Sequence, residues 1–183
     1  MKALATASEL NRLVNRWAEH SAEIDSASLG AFSEKLAAIF GVNPDEVAIL
    51  AITGNGQHLK FLVPEKLQAV GTIPVNSTTA LVARTAREKR PDILNRFAGS
   101  RHASVFEGVP LGRREGEMIQ KIMSVPIVSG EKVVGVVQIS RKGRTQQGAG
   151  ADFGSGDLRM LQGLIPTLAQ FVELSKNNPA GVS

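Results

Sequence analysis

The chain has 183 residues, of which 43% are hydrophobic and 21% charged, the balance of one globular domain with a sizeable core. It contains no cysteine, which excludes a disulfide framework, a thiolate metal site, a cysteine nucleophile and a thioether-linked chromophore. The formal charge is +4 and the isoelectric point near 9.7. The positive excess sits in one place, because from Arg84 to Arg114 eight basic residues stand against three acidic ones. With 4% aromatic residues, no tyrosine and no zinc spacing, that segment is not expected to bind nucleic acid. No run approaches the roughly 18 apolar residues of a membrane span. Glu9, Asn11 and Arg12 break up the apolar start, so the chain is expected to be cytoplasmic, with no membrane partner.

Taken in chain order, Leu10, Leu13, Val14 and Trp17 fall at helical spacing and predict a helix from about Ser8 to His20. Leu29, Phe32, Leu36, Ile39 and Phe40 predict a second helix, capped by Ser26 or Ser28 and ended by Gly41. The period then changes. Val47–Ile52 is a continuous apolar run rich in branched residues, Gly54-Asn55-Gly56 is a turn, and His58–Val63 returns as its hairpin partner. A short helix from about Thr78 to Lys89, capped by Ser77, stops before Pro91, and Asp92-Ile93-Leu94 reads as a short strand.

Residues 95–117 have no clear period and carry four glycines, the pattern of a lid or binding loop. A second hairpin joins Ile119–Val128 to Val133–Ser140 across a turn at Ser129–Lys132. A glycine-rich connection leads to a last helix from about Asp157 to Ser175, which Pro166 interrupts by removing the hydrogen bond to the Gln162 carbonyl. The expected fold class is α+β: an antiparallel sheet of five or six strands with helices on both faces. The expected organisation is a helical extension over residues 1–25, a domain over 26–175 and a disordered tail over 176–183.

Three marks carry a resemblance: Ile122-Met123-Ser124-Val125-Pro126-Ile127, then Val134-Gly135-Val136-Val137-Gln138-Ile139, then Phe153-Gly154-Ser155-Gly156-Asp157-Leu158. In this order and spacing they resemble the GAF domain family of sensory modules. The resemblance implies the GAF-like, profilin-like form of the fold, with terminal helices on one sheet face and a ligand cavity under the middle loop on the other. Members that bind cyclic nucleotides often carry an Asn-Lys-Phe-Asp-Glu signature. Here Lys142, Phe153 and Asp157 match, while Arg141 and Leu158 replace the first and last members. Lys142 and Asp157 are expected to form a structural ion pair instead. Bilin carriers and free-methionine sulfoxide reductases of this fold use cysteines, which this chain lacks.

The resemblance and the residues together give a candidate ligand site. Phe61 and Met123 are expected to form its wall, Phe97 and Phe106 its lid, and Arg96, Arg101 and His102 its polar contacts, favouring an anionic or polar small molecule. The three histidines have no metal-ligand spacing, and no nucleophile–base pair stands out, so neither metal, cofactor nor catalysis is expected. The expected function is a non-enzymatic sensor or regulatory domain that signals through its terminal helices to a protein partner. The alternative is a scaffold that has kept the fold without a ligand. The stripe Leu10–Trp17 reads as surplus to the core domain, so a homodimer is expected.

Overall fold

The computed structural model describes residues 2–20, 24–99 and 117–176. Six antiparallel strands form one sheet in the order β3-β2-β1-β6-β5-β4. They are β1 (Val47–Ile52), β2 (His58–Val63), β3 (Thr72–Pro74), β4 (Asp92–Leu94), β5 (Met118–Ser129) and β6 (Lys132–Gly143). The long β5–β6 hairpin is the spine, and β1 lies antiparallel beside β6. Gly135 makes that pairing close, because a Cβ there would stand 2.4 Å from the Leu50 carbonyl oxygen.

Helices α1 (Lys2–His20), α2 (Ser26–Phe40) and α5 (Ile165–Lys176) cover one sheet face. α3 (Leu81–Glu88) packs on the other, against β5 and β6. The α2 cap is Asp25, whose carboxylate accepts the Ser28 N–H at 2.8 Å, not Ser26 or Ser28 as the sequence suggested. α4 (Ser155–Gly163) and α5 are separate helices with Leu164 between them, the break that Pro166 dictates.

The main core lies between the three long helices and the sheet. Phe32 and Phe171 stack there with ring centroids 4.0 Å apart, and Trp17 leans on both at 6.1 and 6.3 Å. Leu10 and Val14 are fully buried in the same cluster. α1, read from the sequence as an extension ahead of the domain, therefore supplies three residues to its core. The stripe that seemed left over for a second copy is covered by α2 and α5 of the same chain, so it no longer argues for a dimer. No helix among the described residues is long and apolar enough to cross a membrane.

The connection after β6 is held by polar contacts. Lys121, buried on β5, donates to the Gly150 carbonyl at 2.6 Å and to Asp152 at 2.7 Å. Phe153 is gripped by Asn95, which accepts its N–H and donates to its carbonyl. The Arg141 guanidinium lies 4.5 Å above the Phe153 ring, so the residue that departs from the signature still contacts the one that matches. The expected Lys142–Asp157 pair does not form. Lys142 reaches Asp45 at 2.9 Å, and Asp157 caps α4 by accepting the Gly154 N–H at 2.8 Å.

Candidate functional site

Strand register builds a row of side chains across the middle of the sheet. Asp92 on β4 stands beside Ser124 on β5, Ser124 beside Gln138 on β6, and Gln138 beside Ala48 on β1. Neighbours directly across antiparallel strands share a face, and this row faces α3. It reads carboxylate, hydroxyl, amide, methyl. On the opposite face the same strands present Met123, Val137 and Ile49, all buried in the main core.

α3 covers half of the row. A turn precedes the helix, where the Ser77 hydroxyl accepts the Ala80 N–H at 3.2 Å, and Lys89 closes it in a left-handed conformation before Pro91. That phase directs Arg84 and Thr85 at the strands. Arg84 meets Asp92 at 2.7 Å, both about one-fifth exposed. The Thr85 hydroxyl donates to the Leu81 carbonyl at 3.0 Å, so at 2.7 Å from Ser124 it must accept the Ser124 proton. Ser124 in turn accepts from the Gln138 amide at 3.1 Å. The result is a directed relay from Gln138 through Ser124 and Thr85 to the backbone of α3.

The other half of the row is less buried. Thr85 and Ser124 are buried, but Gln138 and Ala48 are only half-buried, although they sit on the two central strands. The apolar packing on this face is split accordingly. Leu50, Leu59, Phe61, Ile73, Val82 and Val136 form one cluster, and Leu81, Phe97 and Ile122 another. Burying the polar row costs little because its members satisfy one another. A purely structural sheet face would be served as well by apolar residues, as the opposite face shows.

The predicted site residues divide. Phe61 and Phe97 are on the α3 face, in the two clusters that flank the row, and Phe97 is packed on Leu81 and Ile122. Met123 is a correction: it points into the main core beneath α5, one residue out of phase with Ile122 and Ser124. Arg96 is exposed on the turn after β4 and makes no part of the row. Arg101, His102 and Phe106 lie outside the described residues. The sequence reading missed Thr85, Asp92, Ser124 and Gln138. A signal was available, since Ser124 and Gln138 are the polar residues inside the otherwise apolar runs Ile122–Val128 and Val133–Ile139.

Among the described residues no group of three or more histidines, aspartates and glutamates is placed to hold a metal ion. Of the two described histidines, His20 contacts the Arg16 carbonyl on α1 and His58 stands opposite Pro74 at the sheet edge. Neither approaches the row.

Solved structures with this architecture include the GAF domain of a phosphoenolpyruvate-protein phosphotransferase from Acinetobacter. It is 18% identical, with a TM-score of 0.68 over 95% of this chain and 94% of that one. The corresponding GAF domain from Coxiella burnetii is 12% identical, with a TM-score of 0.66 over 98% and 99%. The free methionine-R-sulfoxide reductase of Neisseria meningitidis, solved with its substrate, is 16% identical, with a TM-score of 0.59 over 97% and 93%. At these identities the likeness is one of fold. The sequence matches no curated protein. The sequence profile of the GAF domain matches residues 7–173, from within α1 to within α5. With the sheet order, the helices on both faces and a match over nearly the whole chain, this protein belongs to the GAF domain family.

Proposed function

We propose that the chain is a non-enzymatic sensor domain that binds a small polar molecule over the Asp92–Ser124–Gln138–Ala48 row. The observation that carries this reading is the incompletely buried polar centre of the α3 face. There a half-buried amide and a methyl group lie where packing would place large apolar side chains. The Gln138 amide offers donor and acceptor to a ligand, and Ser124 and Thr85 connect it to α3. A ligand that takes over the Gln138 contact frees the Ser124–Thr85 relay to rearrange, and so biases the position of α3. The state is passed to a protein partner through β5 and β6, which carry the relay on one face and contact α5 on the other.

The non-enzymatic reading is supported by chemistry. The sulfoxide reductases of this fold work through cysteines, and this chain has none. Among the described residues no nucleophile–base pair lies beside the row. The Arg84–Asp92 pair is internally neutral, so the described residues favour a polar ligand over a strongly anionic one. Native mass spectrometry of the purified protein tests the reading. A co-purified small molecule, lost in Gln138→Leu with the fold intact, is expected. A ligand retained equally by Gln138→Leu and Ser124→Ala would place it elsewhere.

A further inference from the structure

The row under α3 has a counterpart on the opposite face of the sheet. Three residues along from Asp92, Ser124 and Gln138, in one direction across the antiparallel strands, stand Asn95, Lys121 and Arg141. Lys121 and Arg141 are direct cross-strand partners, and the β4 register carried one residue past Leu94 sets Asn95 beside Lys121. An odd step along a strand changes face, so the second row belongs to the side of the main core. The two rows lie about 10 Å apart on the same three strands, at roughly 3.3 Å per residue.

All three side chains of the second row close on residues 150–153, the segment that leads into α4. Lys121 donates to the Gly150 carbonyl and to Asp152, and Arg141 donates to the Ala151 carbonyl at 2.9 Å while covering the Phe153 ring. Asn95 holds both backbone groups of Phe153. This grip is built on a repulsion, because like charges directly across adjacent strands are destabilising. Among the described residues Asp152 is the one carboxylate in contact with either cation. The Lys121 side chain is 6% exposed and that of Asp152 69%. The Arg141 Nε–H is buried without an acceptor. A sealed pair of cations therefore depends on a counter-ion that stands in solvent.

We propose that residues 150–153 are a latch, shut by Asp152, through which the state of the α3 face is passed to α4. The inference rests on the sensor reading above and adds its output step. A ligand that shifts β4, β5 and β6 against one another at the first row moves Asn95, Lys121 and Arg141 at the second, and the start of α4 is held or let go. Loss of the Asp152 charge opens the latch directly. Removing one partner of a buried ion pair leaves the other uncompensated, whereas replacing the pair by uncharged groups of similar size is tolerated.

Hydrogen–deuterium exchange of the whole chain, with no ligand added, tests this. In Asp152→Asn the amides of residues 153–160 should exchange roughly tenfold faster or more, while those of 133–139 in β6 keep their rate. Adding Lys121→Met removes the buried charge and should return residues 153–160 toward the parent rate. Asp92→Asn, which weakens the Arg84 pair on the α3 face, should also speed exchange at 153–160. It should add nothing in Asn95→Ala, where β4 no longer holds Phe153. The inference is overturned if 153–160 keep the parent rate in Asp152→Asn, if Lys121→Met leaves them fast, or if Asp92→Asn acts equally with and without Asn95. These rates need no ligand, so the latch and the sensor reading fail separately: a chain that binds nothing over the row refutes the second and leaves the rates as they are.

Discussion

Glu46 is buried at the entrance to β1, where one carboxylate oxygen accepts the Asn43 N–H at 2.8 Å and the other the Lys142 N–H at 2.6 Å. It thus ties the turn before β1 to the end of β6. Glu46→Gln keeps the shape but turns an NH₂ toward one of those N–H groups. A loss of about 1–3 kcal/mol in urea-denaturation stability is expected, the cost of a buried donor left unpaired. Gly135→Ala forces a methyl group against the Leu50 carbonyl. It should cost about 1–3 kcal/mol by the same measurement, as overpacking does, and an unchanged midpoint would refute the close contact. Gly135 was legible as a point of close approach because it stands inside a branched apolar run. Met123 was not legible in the same way. The pleat has period two, and β5 carries an irregularity between Ile119 and Lys121, so alternation counted from the sequence alone did not fix which residues face α3.

At the scale of elements, the aromatic contact among Trp17, Phe32 and Phe171 makes α1 part of the fold. Trp17→Ala should lower stability by about 3–5 kcal/mol, the range for removing a buried aromatic side chain. Charged residues at Val14 and Trp17 should unfold the chain, as near- and far-ultraviolet circular dichroism would show, and not yield a folded single copy. α2 offers a pH test. The Asp25 carboxyl is held below its ordinary value by the hydrogen bonds from Ser28. Its cap is therefore complete above the unfolded-state carboxylate range and is lost as pH falls through the lowered folded value. An NMR titration should show the Ser28 amide signal moving with Asp25 at that lower pH, and a midpoint at or above the ordinary value would contradict the cap. The elements themselves were legible where period and punctuation agreed: both hairpins, α3 ending at Pro91, and the α4–α5 break at Pro166. The destination of the α1 stripe was not, because periodicity shows that a face is apolar and says nothing of which partner covers it.

For the whole molecule, the two sheet faces have different tasks. One is sealed by α1, α2 and α5 over a continuous apolar core. The other is divided into two apolar clusters by a polar row that α3 covers only in part. The family fold was legible from three marks in β5, β6 and the start of α4, yet the candidate site was legible only in outline. Phe61 and Phe97 flank it, but its polar members come from four elements, and only the register of β4, β5, β6 and β1 brings them into line. Chemical-shift mapping of the isotopically labelled chain against a library of small polar metabolites tests the central claim most directly. The account predicts that at least one compound shifts amides of residues 81–86, 122–126 and 136–140 together, and that Gln138→Leu removes the response. A library that leaves those three segments unmoved, or a ligand whose shifts survive Gln138→Leu unchanged, would contradict it.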